Sequence, residues 1–397
     1  MKEIFENPFR PGAGHKPPYL AGREKETEEF MKLLVQKTIL ENFVLTGLRG
    51  VGKTVLLDTL KPRAIEEGWL WVGTDLSESA SVSEDNIAIR LIADLAVVTS
   101  GISIERHFPP IGFGADSRKT IDRLDYKSLM EFYHGTPGLV SDKLKYVMEI
   151  VWMVVKEHGK KGVIFAYDEA QNLSDQAIKE QYPLSLLLDL FQSIQKKDFP
   201  FMLVLTGLPT LFPKLVEART FAERMFRVVS LDRLDAKQSR DAILKPIEQD
   251  NCPVELDNES VVEIVRLSGG YPYFIQFICK EVYDSFIQKE DRGETMSVPT
   301  DDIVRKLDTD FFAGRWNRVT DRQRDLMTVA AQLRHDEFTG QEIADRAETA
   351  LKKGFGSSQI NQMLSTLCDT GLVFRNRHGR YSFAVPMLGE FILRQEA

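Results

Sequence analysis

Eight residues decide most of what this chain can become: Gly47-Leu48-Arg49-Gly50-Val51-Gly52-Lys53-Thr54. They follow a short apolar run, Asn42-Phe43-Val44-Leu45-Thr46, and open a segment of helical periodicity from about Lys53 to Glu67. Glycines in a strand-to-helix turn permit backbone conformations that side chains forbid, so that successive N–H groups can converge on one anion. The helix that follows turns the positive end of its dipole toward the same point. The spacing matches G-x-x-x-x-G-K-[ST], the loop that cradles nucleotide phosphates, with Lys53 reaching the β- and γ-phosphates and the Thr54 hydroxyl on magnesium. Gly47 through Val55 are therefore the expected binding residues for ATP or ADP with Mg2+. The competing reading, a chance glycine-rich turn, does not explain the strand before it and the helix after it.

A second pattern fits the first. Val163-Ile164-Phe165-Ala166-Tyr167 is an apolar strand that ends in Asp168-Glu169. This is a Walker B pattern, in which Asp168 holds magnesium through water and Glu169 polarises the attacking water. Acids after an apolar strand are common by themselves, but a Glu directly after the Asp, paired with the loop, points to hydrolysis. Thr206 closes the next strand, in Leu203-Val204-Leu205-Thr206-Gly207-Leu208-Pro209, where its hydroxyl either faces the γ-phosphate or simply ends a strand. Arg219, Arg224 and Arg227 cluster before the following strand. One of them, with Arg224 favoured, is placed to reach a phosphate bound by a neighbouring subunit, the alternative being a surface ion pair. Ser268-Gly269-Gly270-Tyr271-Pro272 reads as a helix C-cap followed by a proline-started helix, or as backbone brought close to the nucleotide.

Around these motifs the apolar runs Asn42–Thr46, Trp69–Val72, Val163–Tyr167, Phe201–Thr206 and Phe226–Leu231 predict an α/β fold with a five-stranded parallel sheet covered on both faces. The segment from about Gly101 to Tyr146 loses periodicity and reads as an insertion. Residues 1–234 form the expected ATPase core. Helical periodicity through Ala236–Glu248, Ser260–Leu267, Tyr273–Gln288 and Thr300–Phe312 predicts a small helical lid over 235–314. Three helical segments, Asp321–Leu333, Thr339–Ala347 and Ser357–Thr370, then precede two short apolar runs joined by Arg375-Asn376-Arg377-His378-Gly379-Arg380, the pattern of a winged helix over 315–397.

Composition narrows the class further. The net charge of -8 argues against a protein that coats nucleic acid by bulk electrostatics. From Arg315 onward, however, 12 Lys/Arg face 10 Asp/Glu, so that stretch is +2 and the remainder -10; a nucleic-acid surface is expected at this end. Ser357, Ser358, Gln359 and Asn361 at the start of the third helix are side chains able to bond base edges, and Arg375, Arg377 and Arg380 suit phosphate or the minor groove. Cys252, Cys279 and Cys368 show no CxxC spacing, so neither a disulfide framework nor a zinc site is expected, and a reducing cytoplasm fits. No apolar run reaches the length of a membrane helix, and the N-terminal residues lack the apolar core of a signal peptide.

Taken in order, Gly22-Arg23-Glu24, the glycine loop, Asp168-Glu169, Thr206-Gly207-Leu208-Pro209, Gly269-Gly270-Tyr271-Pro272 and the terminal winged helix resemble the AAA+ ATPases near the origin-recognition initiators and the STAND signalling ATPases. The resemblance covers the chain outside the Gly101–Tyr146 segment. It implies an adenine pocket near Tyr19–Arg23, a sensor role for Thr206 and a lid contact at Gly270–Pro272. The lid stretch carries the Gly-Gly-x-Pro of STAND-like members where initiators commonly carry a sensor arginine. The expected activity is slow ATP hydrolysis that repositions the winged helix on duplex DNA, with a homo-oligomer or protein partner. The alternative is a signalling ATPase whose winged helix is autoinhibitory or docks protein.

Overall fold

The structure is a computed structural model and describes residues 6–12, 14–36, 38–108, 118–248, 252–293, 295–351, 354–377, 379–385 and 387–395. The chain forms two compact units: Glu24–Thr46 with Leu56–Ser230, and Met1–Arg23 with Gly47–Val55 and Leu231–Ala397.

The first unit is built on strands β1 (Asn42–Gly47), β2 (Trp69–Val72), β3 (Ser103–Phe108), β4 (Arg118–Arg123), β5 (Gly162–Tyr167), β6 (Phe201–Gly207) and β7 (Phe226–Leu231). Five of them make one sheet in the order β2-β5-β6-β1-β7. Parallel pairing sets Phe43 beside Val204, Tyr167 beside Leu205 and Trp71 beside Ile164. β1, β5 and β6 are buried along their whole length, which is why they read as unbroken apolar runs. Parallel strands end at one edge, so the residues after β5 and the last residues of β6 share that edge. Helices cover the faces; Leu91 of Glu84–Thr99, Val147 of Val140–Glu157 and Phe191 of Pro183–Gln195 are fully buried in one core with Phe165 and Phe201. Phe191 meets Phe165 edge-on at 5.2 Å.

Where the periodicity fades, β3 and β4 pair as an antiparallel hairpin, and the helix Tyr126–Gly135 follows under the cap of Asp125, whose side chain accepts from the Ser128 N–H. Side chains of 103–122 lie outside the described residues, but Leu124, Leu129 and Tyr133 are buried in the core, and the Tyr133 hydroxyl donates to Asp85 at 3.1 Å. The later half of this segment is thus packed into the sheet unit.

In the second unit, helices Ala236–Leu244, Asn258–Ser268, Pro272–Arg292 and Thr300–Leu307 lead into a π-helical turn, Asp308–Ala313. Then come the helices Gly314–Trp316 and Asp321–Gln332, β8 (Phe338–Thr339), helices Gly340–Ala350 and Ser357–Asp369, β9 (Val373–Arg377), β10 (Arg380–Phe383) and a final helix, Leu388–Gln395. The strands form an antiparallel sheet in the order β8-β10-β9. Two elements here have no sequence-based counterpart. β8 is a two-residue pairing, too short for alternation to register, and the final helix begins only after the hairpin has closed. An aromatic layer joins the parts: Phe274 lies 5.0 Å from Phe311, Phe312 stacks on Phe391 at 5.2 Å, and Trp316 meets Phe391 at 6.2 Å.

One buried amide pins the sheet. Asn42, fully buried at the start of β1, donates to Gln195 Oε1 at 3.1 Å and to the Met225 carbonyl at 3.3 Å, and accepts from the Leu203 N–H at 2.7 Å. It therefore links β1 to the third residue of β6 and to the residue before β7. Asn42→Leu leaves the Leu203 N–H and the Met225 carbonyl without these partners, at a cost of about 3 kcal/mol. A lowered urea midpoint for the sheet unit, at unchanged helical content, is the expected result.

Candidate functional site

The glycine loop belongs to the second unit, and its conformation is an accounting of carbonyl groups. Gly50 and Gly52 adopt φ of 81° and 92°, open to glycine and strained for other residues. Four loop carbonyls then find donors from three elements. The Lys53 ammonium, nearly buried, donates to Gly47 O and Leu48 O, both at 3.0 Å. The Tyr273 N–H donates to Gly50 O at 3.1 Å. The Arg23 guanidinium, also nearly buried, donates to Val51 O at 2.9 Å and to Asp232 O at 2.8 Å. Fixing the carbonyls in this way is what a phosphate-binding concavity of backbone N–H groups requires. Val51 is buried, Leu48, Thr54 and Val55 are half-buried, and Arg49 is exposed.

Two flanking segments supply those donors. The helix Asn258–Ser268 is closed by Gly269 in the left-handed region, and Pro272 starts the next helix. Because proline has no N–H, Tyr273 is the first residue of that helix with a donor to offer, and it gives it to the loop. The Gly270 carbonyl accepts the Leu234 N–H at 2.8 Å. The stretch is thus a helix cap that also touches the loop. On the N-terminal arm, Arg23 is committed to carbonyls, and Tyr19 lies under Lys245, whose Nζ is 4.5 Å from the ring centroid and donates to the Tyr19 hydroxyl at 3.2 Å.

In the sheet unit, Asp168 is buried; its N–H donates to Thr74 O at 3.3 Å, its carbonyl accepts the Leu76 N–H at 2.9 Å, and its Oδ1 accepts the Glu169 N–H at 2.8 Å. Beneath it lies a network that no motif announces. The buried Tyr167 hydroxyl donates to Asp94 at 2.7 Å, and Arg90 grips the same carboxylate at 2.7 and 3.0 Å while donating to Thr74 Oγ1 at 2.6 Å. Burial, followed by the Asp94 charge, holds the Tyr167 hydroxyl well above its ordinary range, so it stays a donor. The only trace of this in the sequence is the i,i+4 spacing of Arg90 and Asp94. Burial also raises the carboxyl of Asp58, with Asp168 and Asp75 adding to the rise against Lys61.

Glu169 has φ of 50°, a left-handed conformation unusual for its residue type, and its carboxylate accepts from the Gln171 amide. Thr206 is fully buried at the end of β6, and its hydroxyl oxygen has no hydrogen-bond partner among the described residues. A buried orphan hydroxyl is uncommon, and this one stands at the edge where β5 delivers Asp168 and Glu169. Of the three arginines, Arg219 is bidentate to Asp189 at 2.9 and 2.7 Å, and Arg227 bridges Glu29 at 2.8 Å and Glu41 at 2.9 Å. Arg224 is exposed and has no ion-pair partner among the described residues.

On the helix Ser357–Asp369, Ser357, Ser358, Gln359 and Asn361 are exposed while Ile360, Leu364 and Leu367 are buried. Arg375 of β9 is exposed and Arg380 of β10 half-buried; the side chain of Arg377, and His378, lie outside the described residues. Among the described residues no helix is long and apolar enough to cross a membrane.

Sheet order, glycine loop and carboxylate-ended strand together define an α/β P-loop NTPase fold of the kind found in origin-recognition-type AAA+ ATPases. The Walker-type ATPase of Pyrococcus abyssi superposes with a TM-score of 0.59 at 15% identity, over 94% of this chain and 96% of its own. The Aeropyrum pernix ORC2 protein in its ADP form gives 0.55 at 14% identity, over 98% of both chains, and in its ADPNP-ADP complexes 0.52 at 14%, over 97% of this chain and 96% of its own. Residues 309–392 match a family described as a domain of unknown function, DUF8462. No curated protein matches the sequence.

Arg23 is the residue whose loss best tests the carbonyl arrangement. Arg23→Met removes the donor to Val51 O while leaving Lys53 and Thr54 in place. Loosening the loop is expected to weaken ADP binding about tenfold, read by titration with a fluorescent nucleotide.

Proposed function

We propose that this chain is an ATP-hydrolysing switch of AAA+ type that couples its nucleotide to a C-terminal winged helix, and that this module binds duplex DNA. The observation that supports it most is the glycine loop, whose carbonyls are tied down by Lys53, Tyr273 and Arg23. In this reading Gly47–Val55 hold the phosphates of ATP or ADP, with Lys53 on the β- and γ-oxygens. Thr54 and, through water, Asp168 would hold magnesium, which would supply charge neutralisation at the phosphates. Glu169 orients the attacking water, and the unpartnered Thr206 hydroxyl meets the terminal phosphate. The network of Arg90, Asp94 and Tyr167 keeps the end of β5 in register. Arg224, without an ion-pair partner among the described residues while Arg219 and Arg227 are paired, reaches nucleotide on a second copy of the chain, and hydrolysis then depends on assembly.

In the C-terminal module, residues 315–397, the winged-helix reading rests on helices followed by the β8-β10-β9 sheet. The exposed first turn of Ser357–Asp369 meets base edges, and Arg375, Arg377 and Arg380 meet phosphate. Residues 235–314 act as the lid, since their Tyr273 bonds the loop directly. One contact favours the signalling alternative. The Arg49 guanidinium lies against Gly371, in the turn before β9, where an added Cβ would sit 3.5 Å from Nη2. A winged helix resting on the glycine loop in this way suits an autoinhibited ATPase.

A labelled duplex titrated with protein in ATP, in ADP and without nucleotide, at two salt concentrations, separates the two. Salt-sensitive, nucleotide-dependent anisotropy is expected, and no binding in any state transfers support to the autoinhibited reading. Turnover tests the chemistry. Lys53→Ala should abolish nucleotide binding, while Glu169→Gln should preserve it and slow hydrolysis by about two orders of magnitude or more.

A further inference from the structure

Between the candidate base and the end of β6 stands a residue that no motif singles out, Gln171. It lies in the short helical turn Ala170–Asn172, directly after Glu169. Its side-chain amide is used at both ends: Nε2 donates to Glu169 Oε2, and Oε1 accepts the Leu208 N–H at 3.2 Å. Its own carbonyl accepts Lys214 Nζ at 2.6 Å, and burial pushes that ammonium below its usual range. The turn is closed at the other side by the Asn172 N–H, which donates to Glu169 O at 3.0 Å. Gln171 is therefore held by its backbone, and its amide is left to bridge two neighbours.

The sequence of the β6 turn is shaped around that amide. A Cβ on Gly207 would fall 2.5 Å from Gln171 Oε1, so any larger residue there would push the amide away. Leu208, which supplies the N–H, is two residues beyond Thr206, whose buried hydroxyl is unpartnered. One short path thus runs from the Thr206 hydroxyl through Gly207 and Leu208 to Gln171, and from Gln171 to the Glu169 carboxylate. Among the described residues Gln171 is also the only side chain hydrogen-bonded to that carboxylate.

We propose that Gln171 is a positioning residue that aims the Glu169 carboxylate and ties its direction to the turn Thr206-Gly207-Leu208-Pro209, so that occupancy at Thr206 is passed to the base. This rests on the reading of Glu169 as the group that orients water. A carboxylate on a flexible side chain loses part of its catalytic effect when its direction is not fixed, because proton transfer requires hydrogen-bond geometry. Gln171 acts through Glu169 and does not itself touch nucleotide.

The test uses the full chain. Gln171→Met keeps the length and volume of the side chain and removes both polar ends. Single-turnover hydrolysis should fall about tenfold while the Kd for ATP and for ADP stays within about twofold. Gly207→Ala, which displaces the amide by its Cβ, should reproduce that split in a chain whose Gln171 is intact. Combined with Thr206→Ala, Gln171→Met should lower the rate by less than the product of the two single effects, since both lie on one path. Wild-type turnover in Gln171→Met, a multiplicative double variant, or equal losses in rate and nucleotide affinity would overturn the proposal. Glu169→Gln is run beside them. If it abolishes turnover while Gln171→Met turns over like the wild type, only the role of Gln171 fails. If Glu169→Gln turns over normally, the assignment of the base fails first.

Discussion

The loop Gly47–Thr54 holds its shape because its carbonyls are engaged from outside it. A backbone carbonyl left without a donor in a half-buried turn costs more than a typical hydrogen bond gains, so the loop keeps this form only while its donors are in place. Those donors come from three places in the chain: Arg23 on the N-terminal arm, Tyr273 at the start of the helix Pro272–Arg292, and Lys53 itself. This explains why the loop packs with the arm and the C-terminal residues although strand β1, which leads into it, lies in the sheet. The same dependence gives the loop a route outward. Tyr273 lies 5.4 Å from Phe311, the Arg315 guanidinium sits 4.4 Å above the Phe311 ring and donates to the Phe311 carbonyl, and Phe312 stacks on Phe391 of the last helix.

A different principle organises the carboxylate edge. There the fixed points are charged or strained groups whose surroundings satisfy them. Asp94 is buried, and its carboxylate oxygens are satisfied by Arg90 and the Tyr167 hydroxyl. Glu169 occupies a left-handed backbone conformation that costs on the order of 1–2 kcal/mol, offset by bonds from its own N–H, its carbonyl and its carboxylate.

The motifs that carry chemistry were legible because they are local. A glycine loop, two acids after an apolar strand and a strand-ending threonine each lie within eight residues, and the strands that position them are buried on both faces, so they stand out as continuous apolar runs. β7 departs from the expectation of a sheet covered on both faces: only its end residues, Phe226 and Leu231, are buried, and Arg227, Val228 and Ser230 between them are exposed. What escaped is non-local or too short to have a period. Gln171 means nothing until β6 brings Leu208 beside it, the bonds of Arg23 to the Val51 and Asp232 carbonyls lie outside the adenine-pocket role that the resemblance implied, and the Arg90, Asp94 and Tyr167 network joins a helix to a strand more than 70 residues later. The β3–β4 hairpin lies in the stretch whose apolar pattern fades, and β8 and the final helix are too brief or too late to be seen.

The π-helical turn Asp308–Ala313 carries a consequence of its own. Such a turn holds one residue more than an α-turn, and each residue in a helix advances the chain by about 100°. The extra residue therefore sets the rotational phase between the helix Thr300–Leu307 and everything after it. Within it Phe311 lies against Tyr273 and its neighbour Phe312 against Phe391. The region 309–392 that matches a family of its own begins inside this turn. For this junction residue count matters more than residue identity: a conservative substitution disturbs one contact, whereas the deletion of a single residue re-aims the whole C-terminal module.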